Sequence, residues 1–287
     1  VKYNDYKEMI EREEPDVLIV DSLFRDHCTI TCYALAHDIN VFCEKPLALS
    51  LLACNTLEIA EQNSKATYWA MQTLRYEPSV YTAKKLLEQG AVGTIRMINC
   101  QKSYKLGIRP PFFSNREECG GMIPWVAIHG IDAIQYLCKN KFRSVFAAHS
   151  NQYNQGNGDL ETTAICLFEL EDGVIAHVNA DYYRPETAPT HGDDRIRIVG
   201  TKGALEVRDN QVLLIDESHD GTVPMELIPQ EEIPTIFKDF LSSLSGEESG
   251  LLDAGQSLYS TKLALLARDS ADVKEKITIT SNAKKRG

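Results

Sequence analysis

The pattern of hydrophobic and polar positions changes once along this chain, near residue 75. In the first part, short apolar runs alternate with amphipathic segments. The run at residues 17–20 is continuous and rich in β-branched side chains, which is typical of a strand buried on both faces. Further strands are predicted at 41–43 and 67–72, with helices capped by Asp26 and Ser50 between the strands. Strands that alternate with helices indicate right-handed βαβ units and a parallel sheet.

Beyond residue 75 the pattern becomes mostly β. A helix at 78–89, a long strand at 94–104 and a second helix at 124–138 come first. Six strand-like runs follow, at residues 144–149, 160–169, 174–182, 195–199, 204–208 and 212–216. Turn sequences at 171–173 and 201–203 predict hairpins and therefore an antiparallel sheet. The predicted fold is an α/β nucleotide-type domain followed by an α+β domain with a large open, mainly antiparallel sheet.

Composition and charge limit the possible partners. The 287 residues carry a formal net charge of −11, and the basic cluster is the tail Lys284-Lys285-Arg286. A nucleic-acid partner is not expected, because phosphate binding needs a concentrated basic face. No apolar run approaches the roughly 20 residues that span a bilayer, and no secretory signal opens the chain. The eight cysteines are scattered without a zinc spacing. We therefore expect a cytoplasmic protein with reduced thiols, no membrane association and no metal.

Glu44-Lys45-Pro46 comes directly after the predicted strand at 41–43. Open α/β sheets bind ligands at the carboxyl ends of their strands. A lysine at that edge can be partly desolvated, which lowers its pKa and lets it exchange a proton with a substrate hydroxyl. The Lys45–Pro46 bond is a candidate for the cis form. The same tripeptide also fits an ordinary solvent-facing charged turn.

A second group of polar residues lies on the helix predicted after Gly120-Gly121. At about 100° per residue, Trp125, His129 and Asp132 share one face of that helix. His129 is a candidate general base because the ordinary pKa of histidine lies near neutral pH. Asp132, one turn on, is a candidate to orient the imidazole or to bind substrate. The alternative is a core histidine that is satisfied by Asp132.

Taken in order, these motifs resemble the Gfo/Idh/MocA family, whose members include glucose-fructose oxidoreductase and inositol dehydrogenase. The order is a strand followed by Glu44-Lys45-Pro46, then Arg75-Tyr76-Glu77-Pro78, then Gly120-Gly121 with His129 and Asp132, then an antiparallel sheet. The segment 198–206 looks like that family's hairpin in the second domain. The resemblance runs over essentially the whole chain.

The resemblance implies a Rossmann-type domain that binds NAD or NADP, and a second domain whose sheet makes homodimer or homotetramer contacts. Residues 1–74 would be the remainder of the dinucleotide-binding domain, and residues 75–287 the substrate-binding and oligomerisation domain. The implied reaction is hydride transfer between the cofactor and a hydroxyl or carbonyl carbon of a sugar, polyol or related small molecule. Lys45 and His129 would assist proton transfer while the protein aligns donor and acceptor.

Two sets of binding residues follow. The expected cofactor-binding residues lie after the predicted strands of the first part, and they are Asp21, Ser22, Leu23, Phe24, His27, Glu44, Lys45, Pro46 and Arg75. The expected substrate-binding residues are Trp125, Asp132, Arg184 and His191. The last two belong to the long loop 182–194, which is dense in polar and aromatic groups and also fits an ordinary solvated connection.

The chain departs from the family pattern in two places. No strand–Gly-x-Gly-x-x-Gly–helix unit precedes residue 17, so the sequence as given is expected to begin after the first βαβ unit. The residue that selects NAD or NADP belongs to that unit. Trp125 stands where many members carry an aspartate one turn before the histidine. Its indole is expected either to stack against a sugar ring or to pack inside the protein.

Two other functions fit the same sequence. The fold also supports NAD-dependent glycosidases, in which a transient oxidation is followed by elimination. The missing Gly-rich segment and Trp125 fit a catalytically silent sugar- or nucleotide-binding regulatory protein. The presence of both Lys45 and His129 argues against a silent protein, which would need neither.

Overall fold

The computed structural model describes residues 1–246 and 250–280. The basic cluster at 284–286 lies outside the described residues. Within the described ranges, the chain forms a three-stranded parallel sheet and an eight-stranded mixed sheet.

The parallel sheet confirms the α/β prediction for the first part of the chain. Its strands lie in sequence order and are β1 (Val17–Val20), β2 (Asn40–Cys43) and β3 (Tyr68–Ala70). The helices that alternate with them are α1 (Tyr6–Glu13), α2 (His27–Ala36) and α3 (Leu51–Gln62). The prediction that the first strand is buried on both faces is wrong, because the described chain leaves Ile19 57% exposed.

The two predicted helix caps differ in outcome. Ser50 accepts a hydrogen bond from the Ala53 amide at 3.1 Å and so begins α3 as predicted. Asp26 stands at the N-cap position of α2 but makes no capping bond with its side chain. The reason is that a 3₁₀ turn, Phe24–Asp26, leads directly into α2 and gives Asp26 a helical backbone.

The second sheet has eight strands in the described chain. Their bounds are β4 (Ile95–Tyr104), β5 (Phe142–Ser150), β6 (Thr163–Leu170), β7 (Ile175–Asp181), β8 (Gly192–Gly200), β9 (Ala204–Arg208), β10 (Gln211–Ile215) and β11 (Ile277–Thr278). The spatial order is β10-β9-β8-β4-β7-β6-β5-β11. Neighbouring strands are antiparallel except for β4 and β7, so the sheet is mainly antiparallel as predicted.

A π-helical turn interrupts the regular helix that was predicted over residues 124–138. The turn spans Ile123–Ala127 and continues into an α-helix. The remaining described helices are α4 (Pro78–Glu88), α5 (Arg116–Cys119), α6 (Ile128–Leu137), α7 (Ile236–Leu244) and α8 (Ala254–Val273). Because π turns change the direction in which side chains point and are frequent at functional sites, this segment is of interest for the site.

Helix α8 joins the two parts of the chain. Its side chains belong to the hydrophobic cores of both sheets. Ser257 accepts a hydrogen bond from the Ala70 amide at the end of β3, and Ser270 accepts one from the Ala147 amide in β5, each at 3.1 Å. The helix therefore holds the carboxyl edge of the parallel sheet against the second part of the chain.

The cysteines pack as small apolar residues, as predicted. Six of the eight are buried and the other two are half-buried. Among residues 1–246 and 250–280, no helix combines the length and apolar character needed to cross a bilayer.

Candidate active site

The Glu44-Lys45-Pro46 turn leaves the carboxyl end of β2, and the Lys45–Pro46 peptide is cis. Nδ1 of His27 lies 2.8 Å from the carbonyl oxygen of Pro46, and Nε2 of His27 lies 3.2 Å from the carbonyl oxygen of Ser22. The His27 side chain is fully buried, and this burial lowers its pKa. The imidazole thus links the segments that follow β1 and β2 and holds the turn in place.

Lys45 is almost completely buried, with a side chain that is 4% exposed. Its Nζ donates a hydrogen bond to the carbonyl oxygen of Trp125 at 2.6 Å, and Glu44 Oε1 lies 3.7 Å away. Burial lowers the pKa of Lys45 to about 7; the charge of Glu44 opposes this shift and the charge of Lys102 adds to it. Lys45 can therefore exchange a proton near neutral pH.

The half-buried Trp125 side chain packs against Phe24 and Lys45. Its ring stacks on Phe24 with centroids 4.5 Å apart, and Nζ of Lys45 lies over the ring, 3.2 Å from the centroid. These contacts favour packing over stacking against a sugar ring as the role of the indole. Where the family pattern has an aspartate, this chain offers Lys45 a cation–π contact and a backbone carbonyl.

His129 lies near the start of α6, and its imidazole lines the same cavity as Lys45. Burial lowers the pKa of His129 well below its ordinary value of 6.5, and the positive charges of Lys45 and Lys102 act in the same direction. The imidazole is therefore neutral at neutral pH and can accept a proton.

A cavity of about 250 Å³ lies between the carboxyl edge of the parallel sheet and the second part of the chain. Its lining residues are Glu44, Lys45, Met71, Thr73, Tyr104, Arg109, Trp125, Val126, His129, Tyr182 and His191. A second cavity of about 310 Å³ adjoins it and contains Lys102, which is buried and paired with Asp194. His129 lines both cavities and so lies at their junction.

Arg75 and Asp132 line neither cavity. Arg75 donates to both carboxylate oxygens of Asp132, at 2.7 and 2.8 Å, and each side chain is 1% exposed. Ser260 donates a further bond to Asp132 at 2.7 Å. Asp132 therefore has Arg75 and Ser260, and not His129, as hydrogen-bond partners among the described residues, while a cofactor contact for Arg75 and a substrate contact for Asp132 stay predictions. Arg75 and Asp132 form a buried ion pair that ties α6 to α8 and to the segment after β3.

Three further predicted cofactor contacts, Phe24, His27 and Pro46, are buried in the structure, and their role stays a prediction. Phe24 is 5% exposed and packs edge-on against Phe112 in addition to stacking on Trp125. His27 is occupied by the bonds to the turn, and Pro46 is buried within that turn. Residues 21–23, by contrast, are exposed or half-buried at the carboxyl edge of the parallel sheet, and Glu44 is half-buried there.

The loop between β7 and β8 contains two predicted substrate-binding residues, and one of them lines the cavity. His191 lines the cavity and stacks on Tyr104, with ring centroids 5.5 Å apart. Arg184 donates to the carbonyl oxygen and the hydroxyl of Thr190, at 2.9 and 2.7 Å, and lies 3.4 Å from Asp193. Arg184 therefore holds the loop together and does not line this cavity, and its role as a substrate ligand stays a prediction.

Sequence reasoning missed several lining residues, and Lys102 is the most informative of them. Ile98, Cys100 and Lys102 are the buried positions of β4, which alternates with period two. A lysine at an inward-facing position of an alternating strand needs a hydrogen-bond or ion-pair partner. The alternating pattern could therefore have identified Lys102 in the sequence. Arg109 carries no such signal, because it comes from the irregular segment after β4.

The carboxyl edge of the parallel sheet carries polar groups that would suit the nicotinamide end of a dinucleotide. Gln72, directly after β3, is fully buried, and neither polar atom of its amide has a partner among the described residues. A buried amide without partners is a position at which a bound group is expected. The neighbouring residues 21–23, Glu44 and Met71 would hold this group at the carboxyl ends of the three strands.

Comparison with known proteins assigns the class. Residues 1–71 match an oxidoreductase family with an NAD-binding Rossmann fold, and residues 80–206 match the GFO/IDH/MocA C-terminal domain. A solved oxidoreductase structure from Thermotoga maritima is 44% identical, with a TM-score of 0.93, and the match covers 97% of this chain and 84% of that chain. The fold is that of a two-domain oxidoreductase. The chain belongs to the Gfo/Idh/MocA family, which confirms the resemblance.

Two further relatives carry names of polyol or sugar dehydrogenases. Myo-inositol 2-dehydrogenase of Thermotoga maritima is 24% identical over 76% of this chain and 65% of its own length. A levoglucosan dehydrogenase, solved with NADH and levoglucosan, shares the fold with a TM-score of 0.83 at 18% identity, over 97% of this chain and 84% of that chain. The matched region is less than two thirds of the length of the inositol dehydrogenase, and 62% of that of an oxidoreductase from Bacillus subtilis.

The Lys45→Met variant is expected to be more stable than the natural protein below pH 7. The pKa of Lys45 in the folded protein, about 7, lies below its ordinary value of 10.5, so unfolding takes up a proton between these values. Stability therefore rises with pH across that window, and removing the lysine removes this dependence. We expect the free energy of unfolding to increase by about 1–2 kcal/mol near neutral pH.

Urea titrations near pH 6, below this window, and near pH 10, close to its upper end, measure the effect. The gain from Lys45→Met should shrink towards the higher pH. Lys65→Met is the matched control, because the Lys65 side chain is 90% exposed, and it should change stability little at either pH. A gain that is equal at both pH values would contradict the depressed pKa.

Proposed function

We propose that the protein is an oxidoreductase that transfers hydride between NAD or NADP and a hydroxyl or carbonyl carbon of a sugar, polyol or related small molecule. The observation that carries this proposal is the juxtaposition of a buried lysine and a neutral histidine at one cavity. Lys45 and His129 both line the 250 Å³ cavity at the carboxyl edge of the parallel sheet. Burial lowers the pKa of each, so Lys45 can exchange a proton near neutral pH and His129 is a neutral imidazole that can accept one.

In the oxidation direction, the substrate hydroxyl lies between Nζ of Lys45 and the imidazole of His129. His129 accepts the hydroxyl proton, and Lys45 donates a hydrogen bond to the oxygen as negative charge develops on it. The bound nicotinamide supplies the hydride acceptor. In the reduction direction, His129 returns the proton to the oxygen of the carbonyl group.

Trp125 positions Lys45 in this proposal. The indole and the Trp125 carbonyl fix the ammonium from two sides, and Glu44 lies on another. A lysine held in this way loses little conformational freedom when the substrate binds, which favours a productive geometry.

The experiment that tests the function is a search for substrate-dependent reduction of NAD⁺ or NADP⁺. The purified protein is incubated with each cofactor and with neutral sugars, inositols and sugar acids, and absorbance at the NADH band is recorded. Cofactor reduction with at least one compound supports the proposal. Binding of the sugars with no hydride transfer in either direction would favour the silent binding protein instead.

We also propose that the outer face of the eight-stranded sheet joins copies of this chain. Ile165, Leu167 and Ile175 are 43–50% exposed on this face, and Phe146 and Met97 extend it on neighbouring strands. Such a contiguous apolar face on a sheet is typical of an interface. It is consistent with a homodimer or homotetramer.

Ile165→Arg is expected to convert the oligomer to a monomer, because it places a charge at the centre of the apolar face. Light scattering coupled to size-exclusion chromatography measures the mass. Ile59→Arg is the matched control, since Ile59 is 59% exposed on α3 and away from the sheet. An unchanged mass for Ile165→Arg, or equal dissociation by both variants, would contradict the interface.

A further inference from the structure

Arg109 contributes a cation to the cavity, and no carboxylate among residues 1–246 and 250–280 forms an ion pair with it. It lies in the segment after β4, and its Nη2 donates a hydrogen bond to the carbonyl oxygen of Lys105 at 3.1 Å. Its Nε is buried and has no hydrogen-bond partner in the part of the chain that the structure describes. The guanidinium is held in place by ring contacts, 4.5 Å from the centroid of Tyr182 and 5.7 Å from that of Phe113.

Tyr182 provides a second polar group on the same wall. Its side chain is 3% exposed, and its hydroxyl makes no hydrogen bond of ordinary geometry with the described residues. Burial raises the pKa of Tyr182, while the charge of Arg109 and the indole N–H of Trp125 act in the opposite direction. An indole N–H can only donate, so the proton of the Tyr182 hydroxyl stays available for another acceptor.

The other charges of the cavity are already matched. Glu44 is the only carboxylate among the described residues that line it, and it pairs with Lys45 at 3.7 Å. Lys102 of the adjoining cavity is paired with Asp194. The guanidinium of Arg109 is thus left as an excess positive charge in a small, partly desolvated space.

We propose that Arg109 binds a carboxylate of the substrate, so that the preferred substrates are sugar acids, meaning polyhydroxylated compounds that carry one carboxylate. This inference rests on the proposed hydride transfer and names the class of compound that undergoes it. A guanidinium presents N–H donors in a planar fork that matches a carboxylate, and the Tyr182 hydroxyl adds one more donor. A single excess cation neutralises a monoanion, whereas a phosphate dianion would need a second one.

The test compares three probes of similar size: D-glucuronate, D-glucose and D-glucose 6-phosphate. Binding to the protein in the presence of NAD⁺ is measured by titration with ligand-observed NMR, which does not depend on turnover. We expect glucuronate to bind at least tenfold more tightly than glucose and more tightly than the phosphate. Arg109→Met should remove this preference. Arg109→Lys, which keeps the charge but not the fork, should retain part of it.

Arg96→Met is the matched control, because Arg96 is exposed on β4 and its hydrogen bonds within the described chain go to the backbone carbonyls of residues 172 and 173. It should keep the full preference. Equal binding of glucuronate and glucose to the natural protein would overturn the proposal, and this comparison needs no variant. Retention of the preference in Arg109→Met, or tighter binding of the phosphate, would overturn it as well.

The outcomes for the two proposals are separable. Cofactor reduction with a neutral polyol but no preference for glucuronate would leave the oxidoreductase proposal standing and remove the role of Arg109. Binding of glucuronate that depends on Arg109, with no hydride transfer from any compound, would support the carboxylate site and remove the oxidoreductase proposal.

Discussion

Replacing Lys45 by Met is expected to lower kcat/KM for hydride transfer by about 10³-fold, within the range of a positioned proton-transfer group. The substitution removes the ammonium that contacts the substrate oxygen and leaves a side chain of similar volume, so the packing around Trp125 is preserved. Cofactor reduction with an active substrate measures the rate. Fluorescence titration with NADH measures cofactor binding, which we expect to change little.

The matched control for this loss is again Lys65→Met, whose side chain is exposed on the far edge of the parallel sheet. His129→Asn is the companion variant, and its loss should be of similar size because the two residues serve the same oxygen. Turnover that is unchanged in Lys45→Met would remove Lys45 from the reaction.

Asp132→Asn is expected to cost about 3–5 kcal/mol of folding free energy, because it leaves the buried Arg75 charge without its counterion. The amide keeps the shape of the carboxylate and one acceptor oxygen, so the loss comes from charge. Urea unfolding measures the cost. The fraction that remains folded should keep its kcat, since Asp132 does not line the cavity.

Glu58→Gln is the control for Asp132→Asn, because Glu58 pairs with Lys262 at 2.8 Å on a partly exposed surface. Pairs of this kind contribute about 0–1 kcal/mol. A cost for Asp132→Asn in that same range would show that the buried pair contributes no more than a surface pair. A large loss of kcat with little loss of stability would indicate that Asp132 contacts the substrate.

The position of Lys45 could be predicted because it depends on local features. A short apolar strand followed by a charged turn identifies the carboxyl edge of a sheet, and the structure places Lys45 in the cavity at that edge. The antiparallel character of the second sheet could also be predicted, because its hairpin turns are local in sequence. The parallel pairing of β4 with β7 could not be predicted, since no hairpin turn connects two parallel strands.

The ion pair of Asp132 was not predicted because its partner is distant in sequence. Spacing on one helix placed it beside His129, whereas Arg75, 57 residues away, binds it in the folded chain. The packing of Trp125 also depends on residues that are distant in sequence. Two of its ring contacts, Phe24 and Lys45, come from the ends of two different strands, and the π turn that carries Trp125 departs from the assumed helical period.

The most direct measurement of the central claim is the transfer of deuterium to the cofactor. The protein is mixed with NAD⁺ or NADP⁺ and a sugar, inositol or sugar acid deuterated at its hydroxyl-bearing carbons, and the nicotinamide is analysed by mass spectrometry. We predict deuterium in the reduced cofactor with the natural protein and about 10³-fold slower transfer with Lys45→Met. Deuterium that enters the cofactor and returns, with cleavage of a glycoside and no net reduction, would identify the glycosidase reaction instead. The absence of transfer from every compound, or equal transfer by the Lys45→Met variant, would contradict hydride transfer at Lys45 and His129.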